Sequence, residues 1–201
     1  MMYDVSKRLL DLLISIVALI VFSPIIIWTA LAIRLNSKGP LLADTPPRIG
    51  KSGRSFRMYK FRSMVINAEE LKAELESQNE MSVPMFKMKD DPRITKIGKF
   101  IRKTSIDELP QLINVIKGDM SFVGPRPEEK KLVELFSDSI PFYRIRHMVK
   151  PGIIGWAILT YSHGSSCLLY TSDAADDLLC VDLGGASLIT KTHTSTSTHS
   201  L

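Results

Sequence analysis

The sequence predicts an α/β fold in a loose sense, mostly α: a membrane-embedded helix at the N-terminus, amphipathic helices lying at a surface, and a small strand-bearing region. Three observations predict it. No charged side chain occurs between Asp11 and Arg34. Apolar residues recur at helical spacing among lysines and arginines before residue 103. Pro/Gly turns separate short strand-like pieces on either side of that stretch.

The apolar run LLISIVALIVFSPIIIWTALAI is 22 residues long, and at ~1.5 Å per residue it reaches ~33 Å, enough for the hydrocarbon core of a bilayer. No small-x-small cleavage site follows it, which argues against a signal peptide. Its length argues against the core helix of a soluble domain. Ser23 and Pro24 stand at its midpoint, where proline removes a backbone hydrogen bond and the helix should bend. Lys7 and Arg8 precede the run, and Arg34 and Lys38 follow it, so the flanking charges favour neither orientation. A straight kinked span and a helix that enters and leaves by one face both fit. In the second case Ser23 is placed to satisfy a carbonyl freed at Pro24.

The chain of 201 residues carries 26 basic and 21 acidic side chains, a net charge of +5. From Leu159 onward there are one basic and four acidic residues, leaving 25 basic and 17 acidic before it, a net charge of +8. That excess suits nucleic acid, a phosphate-rich substrate or an acidic membrane surface. The apolar run argues against a nucleic-acid binder.

After the apolar run, Gly39-Pro40, Pro46-Pro47, Gly50 and Gly53 punctuate a stretch of turns, and the piece from Phe56 to Phe61 reads as a short strand. Arg54, Arg57, Lys60 and Arg62 crowd one surface there. A solvated edge strand accounts for them; a phosphate grip by Lys60 and Arg62 is the sharper alternative. The stretch INAEELKAELESQNE has the composition of an exposed acidic helix. Next, Ile94, Ile97, Phe100 and Ile101 alternate with Lys96, Lys99, Arg102 and Lys103, an amphipathic basic helix suited to acidic lipid, with Asp91-Pro92 at its expected start.

That helix leads into TSIDELPQL. Ser105 to Glu108 matches a capping box, but a cap at Ser105 would put Pro110 past the free amides of the first turn. A cap at Asp107 avoids this. The helix would then run from Glu108 to about Lys117, stop at Gly118, and present Leu109, Leu112, Ile113 and Ile116 on one face. Both carboxylates would sit at a positive helix end, which favours ionisation and a lowered pKa. An ionised aspartate can attack phosphorus or hold a divalent cation, and its neighbour can act as acid, base or second ligand. Capping alone also explains Asp107. Past Gly118, Pro125 and Pro127 bracket Arg126, a stiffly presented cation that suggests a diphosphate clamp, although a plain turn has the same composition.

The ordered motifs KRLLDLL, SKGP, YKFRSM, DPRITKIGKFIRKTSIDELPQL, NVIKGDMSFVGPRP and KPGIIGWA make residues 3–157 similar to the bacterial sugar transferase family, the monotopic phosphoglycosyl transferases. The segment MFKMKDDPRIT most resembles members that transfer a hexose 1-phosphate.

The resemblance implies transfer of a sugar 1-phosphate from a nucleoside-diphosphate sugar, a UDP-sugar by preference, to polyprenyl (undecaprenyl) phosphate. UMP is released, at the first membrane step of exopolysaccharide, O-antigen or glycoconjugate synthesis. It implies Asp107 as nucleophile through a covalent aspartyl phosphosugar, Glu108 as its dyad partner, and Mg2+ with Asp107 as ligand. Lys60, Arg62, Arg102 and Arg126 become substrate-phosphate contacts. The N-terminal helix becomes re-entrant, broken at Ser23-Pro24, in the bacterial inner membrane with the catalytic domain on the cytoplasmic face among acidic inner-leaflet lipids. No nucleic acid is expected, and the family leaves room for a homodimer. The competing assignment is a non-catalytic basic membrane anchor or scaffold for polysaccharide assembly.

Three regions follow: residues 1–38 as a membrane-embedded helix-break-helix, 39–157 as a cytoplasmic catalytic domain, and 158–201 as a tail. The tail departs from the family pattern, ends in the low-complexity THTSTSTHS, and reads as wrong-frame or adaptor sequence expected to be disordered or poorly packed. Its Cys167, Cys180, His163, His193 and His199 fit no zinc spacing.

Overall fold

The computed structural model describes residues 2–75, 88 and 90–155. The acidic helix expected after Ile66 falls partly within them, as α2 (Ala68–Glu74); the tail from 158 lies outside them.

Helix α1 (Met2–Asn36) is a single α-helix with Pro24 inside it. The expected break is therefore not present as an interruption. Pro24 has no N–H to offer the carbonyl four residues before it, that of Ile20. The Ser23 hydroxyl donates to this same carbonyl at 2.7 Å, so the polar group that would otherwise stop the helix is satisfied locally. The helix is inverted in polarity relative to one on a soluble protein. Its buried positions include Asp11, Ser15 and Thr29, whereas Ile20, Trp28 and Leu31 are each more than half exposed. These polar residues face the protein while most of the large apolar ones face outward, as in a helix solvated by lipid.

Both ends of α1 are docked. Near the N-terminus, Arg8 donates from Nη1 to the Val115 carbonyl (2.6 Å) and from Nη2 to that of Ile116 (2.8 Å), satisfying carbonyls at the end of α4 (Gln111–Lys117). Asp11 accepts hydrogen bonds from the Ser121 hydroxyl and the Phe122 amide, both at 3.0 Å, at strand β3 (Ser121–Val123). Near the C-terminus, Ile33 packs with Phe61 and Ile101 in a small core joined by Ile26, Ala30, Ile97 and Ile106. Trp28 meets Phe100 edge to face at 6.2 Å.

Helix α3 (Lys96–Lys103) begins later than Asp91-Pro92 suggests. Its cap is Thr95, whose side chain accepts from the Gly98 amide. Asp91 instead forms a buried, two-pronged ion pair with Arg93, at 2.9 Å to Nε and 2.7 Å to Nη2, and the Arg93 guanidinium holds its carboxyl below the usual carboxylate range. The amphipathic character is as expected: Ile101 and Gly98 are buried and the cations are exposed. Phe100, expected on the apolar face, is exposed beside Trp28.

The strand-bearing part consists of two small sheets: β1 (Arg48–Ile49) antiparallel to β2 (Ser55–Phe56), and β3 parallel to β4 (Gly152–Ile154). Helix α5 (Lys130–Ser139) covers the first, with Val133 and Phe136 packed on Ile49 and Tyr143. The piece from Phe56 to Phe61 is a strand at its start only; beyond that it is extended chain, bridged to Leu42 at Phe61.

Arg62, read from sequence as a phosphate ligand, has another role. It is buried, and its guanidinium donates to the Lys38 carbonyl (2.8 Å), the Ser37 carbonyl (3.0 Å) and the Ser37 hydroxyl (2.7 Å). These groups form the turn that leaves α1, so Arg62 closes the helix end as a cation at a C-terminus does. Arg62→Ala is expected to lower stability by about 3 kcal/mol through loss of these charge-assisted bonds. A thermal unfolding midpoint equal to that of the parent protein would refute the assignment.

Candidate active site

Helix α3 ends at Lys103, and Ser105 takes a left-handed conformation (φ 56°) that reverses the chain into a 3-10 turn, Ile106–Glu108. Such a φ at a residue with a Cβ is uncommon and is sustained by its surroundings. Ile106 inserts into the core with Phe61 and Ile101, and the reversal turns Asp107 inward, leaving it 9% exposed. Helix α4 then starts at Gln111, with Pro110 as the residue before it. It stops at Gly118 as expected, φ 93°, with the Gly118 amide bonded to the carbonyls of Asn114 and Val115.

Neither Ser105 nor Asp107 therefore caps a helix through its side chain. The consequence for charge is opposite to that expected from a helix end. Burial raises the Asp107 carboxyl above its usual range, Lys60 and Arg102 pull it back, and Glu108 adds repulsion. The buried face of α4 also differs: Gln111, Leu112, Asn114 and Val115 point inward, while Ile113 is exposed.

The catalytic candidates converge from three segments. The Phe61 amide donates to the Asp107 carbonyl at 2.9 Å, which registers the YKFRSM piece against the 3-10 turn. Next to it, Lys60 Nζ reaches Glu108 Oε1 at 2.5 Å, and Arg126 Nη2 stands 3.9 Å from the same oxygen. Burial alone would raise the Glu108 carboxyl. Lys60 and Arg126, with a hydrogen bond from Gln111, outweigh it and hold Glu108 below the usual range. The neighbouring carboxylates are thus pushed apart in basicity. Arg102 lies on the exposed face of α3 and acts on Asp107 through its charge.

Arg126 is carried by a stiff loop after β3. Pro125 and Pro127 are buried, the Gly124 amide donates to Ile154, and the Pro125 carbonyl accepts from Gly152, both at 2.9 Å. Arg146 adds a further tie by donating from Nη2 to the Arg126 carbonyl at 2.7 Å. Of the sequence-predicted residues, Asp107, Glu108, Lys60 and Arg126 come together, Arg102 stands close by, and Arg62 is engaged elsewhere. Ser23 and Pro24 lie in α1, away from this cluster in sequence.

Two residues with a place here were not singled out from sequence. Glu128 is 11% exposed in its side chain, with burial raising its carboxyl against the charges of Arg146, Arg126 and Arg48. Its signal was a carboxylate two residues from the clamp arginine. Asn114 is fully buried in α4, and its signal was a carboxamide within an otherwise apolar run.

Among the described residues, no group of three or more His, Cys, Asp and Glu could hold a metal without help. Asp107 and Glu108 nevertheless fit a magnesium ion of the usual kind, held by one or two carboxylates together with substrate phosphates. Glu108 is already paired with Lys60, which leaves Asp107 as the better-disposed ligand.

A family model described as bacterial sugar transferase matches residues 2–182. The matched span continues past Ala157, where the motif resemblance was bounded. The chain is 44% identical over 180 residues to the UDP-N-acetylgalactosamine-undecaprenyl-phosphate N-acetylgalactosaminephosphotransferase of Aeromonas hydrophila, covering 90% of this chain and 38% of that protein. It is 44% identical over 157 residues to an undecaprenyl-phosphate galactose phosphotransferase of Salmonella typhimurium, covering 76% and 32%. It is 41% identical over 151 residues to the UDP-glucose:undecaprenyl-phosphate glucose-1-phosphate transferase of Escherichia coli K12, covering 75% and 30%. The chain spans about a third of the length of these relatives. The match takes in the outward-apolar α1, the 3-10 turn with its paired carboxylates and the arginine loop alike, and on that ground the chain belongs to the bacterial sugar transferase family.

Proposed function

We propose that the protein transfers a sugar 1-phosphate from a UDP-sugar to undecaprenyl phosphate. The observation that carries this reading is a buried aspartate beside a glutamate that two cations keep ionised. A carboxylate stripped of water is a better nucleophile, and one of raised basicity better still. Asp107 Oδ attacks the sugar-bearing phosphorus of the donor. The bond from that phosphorus to the bridging oxygen breaks, and UMP leaves with the electron pair. A phosphate oxygen of undecaprenyl phosphate then attacks the aspartyl phosphosugar, the Asp107 oxygen departs, and the diphosphate-linked product forms. Lys60, Arg102 and Arg126 offset the charge of the approaching phosphates. Magnesium, when bound at Asp107, would supply further neutralisation of those phosphates. The relatives named above differ in the sugar that their names give.

The test is full-length protein in membranes with UDP-sugars, undecaprenyl phosphate and magnesium, read as UMP release and formation of a diphosphate-linked lipid. Release of UMP only when Asp107 is present supports the reading. No release with UDP-glucose, UDP-galactose or their N-acetyl derivatives would sink it, and a scaffold role would then stand.

Lys60→Met provides a pH test. Its loss removes the main charge that lowers both carboxyls, so both pKa values rise. Activity that needs ionised Asp107 is lost as pH falls through that pKa, so the acid limb of kcat/KM should move to higher pH. An acid limb that stays in place would count against Asp107 as the titrating group.

For α1, we propose the re-entrant arrangement in the inner membrane, with the catalytic domain on the cytoplasmic face. Its support is that Lys7, Arg8 and Asp11 at one end and Trp28 and Ile33 at the other dock on the same folded body. Residues 7 and 33 are ~39 Å apart along a straight helix, more than the ~30 Å hydrocarbon core. A transbilayer span would separate one docking set from the domain. With the two native cysteines replaced, single cysteines at Tyr3 and Lys38 should both react with an impermeant maleimide in inverted inner-membrane vesicles and neither in intact spheroplasts. Labelling from opposite sides would exclude re-entry.

A further inference from the structure

Residues 57–62 are extended, and their hydrogen bonds divide between two sides, as alternation along a strand requires. On one side the Thr45 hydroxyl donates to the Met58 carbonyl (2.8 Å), the Ala43 amide to the Lys60 carbonyl (2.9 Å), and the Arg62 amide to the Leu41 carbonyl (2.9 Å). On the other side a side chain takes the place of a neighbouring strand. Asn114 Nδ2 donates to the Arg57 carbonyl (2.8 Å), and Asn114 Oδ1 accepts from the Tyr59 amide (2.9 Å). Two residues on, the Phe61 amide donates to the Asp107 carbonyl.

A carboxamide has the donor and acceptor of a peptide unit. Bonding the carbonyl of one residue and the amide two residues later is what a single residue of a parallel neighbour does. Asn114 is fully buried, and its Nδ2 also lies 3.4 Å from Asp119 Oδ2, so its orientation is also set by the turn that follows α4. Lys60 lies between the two tethers, the Tyr59 amide on Asn114 and the Phe61 amide on Asp107, and from there its ammonium reaches Glu108.

We propose that Asn114 is a positioning residue of the transfer site: its carboxamide substitutes for an absent β-strand and sets Lys60 against Glu108, beside Asp107. The kinetic part of this proposal rests on the transferase reading; the geometric part does not. Without the carboxamide, the Arg57 carbonyl and Tyr59 amide lose their partners and the segment is free to shift, and a displacement of about 1 Å at a reacting site can cost 100-fold in rate.

The test uses the full chain in lipid nanodiscs, with Asn114→Ala and the isosteric Asn114→Asp made in both the parent and Lys60→Met backgrounds. Asn114→Asp keeps the acceptor for Tyr59 and loses the donor to Arg57. In the parent background kcat/KM should fall about 30- to 100-fold. In the Lys60→Met background the same change should cost less than about threefold, because an effect exerted through Lys60 is not additive with its removal. The distance from the Lys60 15Nζ to the Glu108 13Cδ, read by dipolar coupling in the nanodiscs, provides a readout independent of turnover. It should lengthen with Asn114→Ala and with Asn114→Asp. Additive losses, or a Lys60–Glu108 distance that Asn114→Ala leaves in place, would overturn the proposal. If the alanine variant fails to fold, the aspartate variant is read by both measures. If no sugar donor is turned over, the distance still decides on Asn114 while the transferase reading fails separately.

Discussion

Asp107→Asn is expected to lower sugar-phosphate transfer by at least about 10³-fold, the scale of removing a nucleophile, while leaving the protein equally or more resistant to heat. The second half follows from the raised Asp107 carboxyl. A group whose folded pKa lies above its unfolded value contributes stability that is fully present below the unfolded pKa and is lost as pH rises through the folded pKa. Once ionised, the buried Asp107 is thus a cost to the fold. Asparagine removes it while keeping the volume. Glu108→Gln should behave in the opposite way. The folded Glu108 carboxyl is held low by Lys60 and Arg126, its contribution is present above the unfolded pKa, and losing it lowers the melting midpoint. Activity and midpoint measured side by side on the two variants check both signs. An Asp107→Asn protein that melts well below the parent would mean that Asp107 serves the fold, as a scaffold role would have it.

The second large effect is on stability. Gly98→Ala, which would ordinarily strengthen an exposed helix by about 1 kcal/mol, is expected to cost about 3 kcal/mol or more. A Cβ at Gly98 would collide with the Ser63 carbonyl oxygen and stand 2.8 Å from the Ser63 carbonyl carbon. Those are backbone atoms in a segment that cannot give way. The Thr95 amide donates to the Ser63 carbonyl (3.0 Å), and the Val65 amide to the Arg93 carbonyl (2.9 Å). Moving α3 away would also move the turn that carries Asp107, and moving Ser63 would pull on Arg62 and Lys60. Chemical denaturation of the variant in detergent provides the check, with Lys96→Ala on the exposed face as control. A Gly98→Ala protein as stable as the parent would show that α3 and residue 63 are not in such close contact.

Much of this molecule could be read from residues alone because the relevant forces are local. An uncharged run of 22 residues favours an apolar solvent, so a helix long and apolar enough to cross a membrane needed no tertiary information. Gly118 stops α4 because only glycine takes a left-handed φ cheaply at a helix end. The alternation of isoleucine with lysine and arginine made α3 amphipathic wherever its first residue lay. Lys60 and Arg126 were grouped with Asp107 and Glu108 only through the family resemblance, because residues alone left Lys60 on a solvated edge strand as readily as at a phosphate.

Other features were decided by partners distant in sequence. Arg62 and Arg126 look alike as cations near phosphate-type motifs. Only folding placed one against carbonyls at the end of α1 and the other beside Glu108. Pro24 should disrupt a helix, and a hydroxyl one residue away removed the reason. The charge state of Asp107 is the plainest case. Read along the chain, it faces a helix start that favours ionisation. In three dimensions the left-handed Ser105 turns it into the interior, where desolvation outweighs neighbouring charge. Sequence by itself determined the elements that carry the site and marked its paired carboxylates, because helix periodicity, turn chemistry and solvent preference are properties of neighbouring residues. Tertiary structure alone decided which of those groups are buried and which point at one another. Burial and direction depend on what packs over a residue, and for Asp107, Arg62 and Asn114 that covering comes from segments tens of residues away.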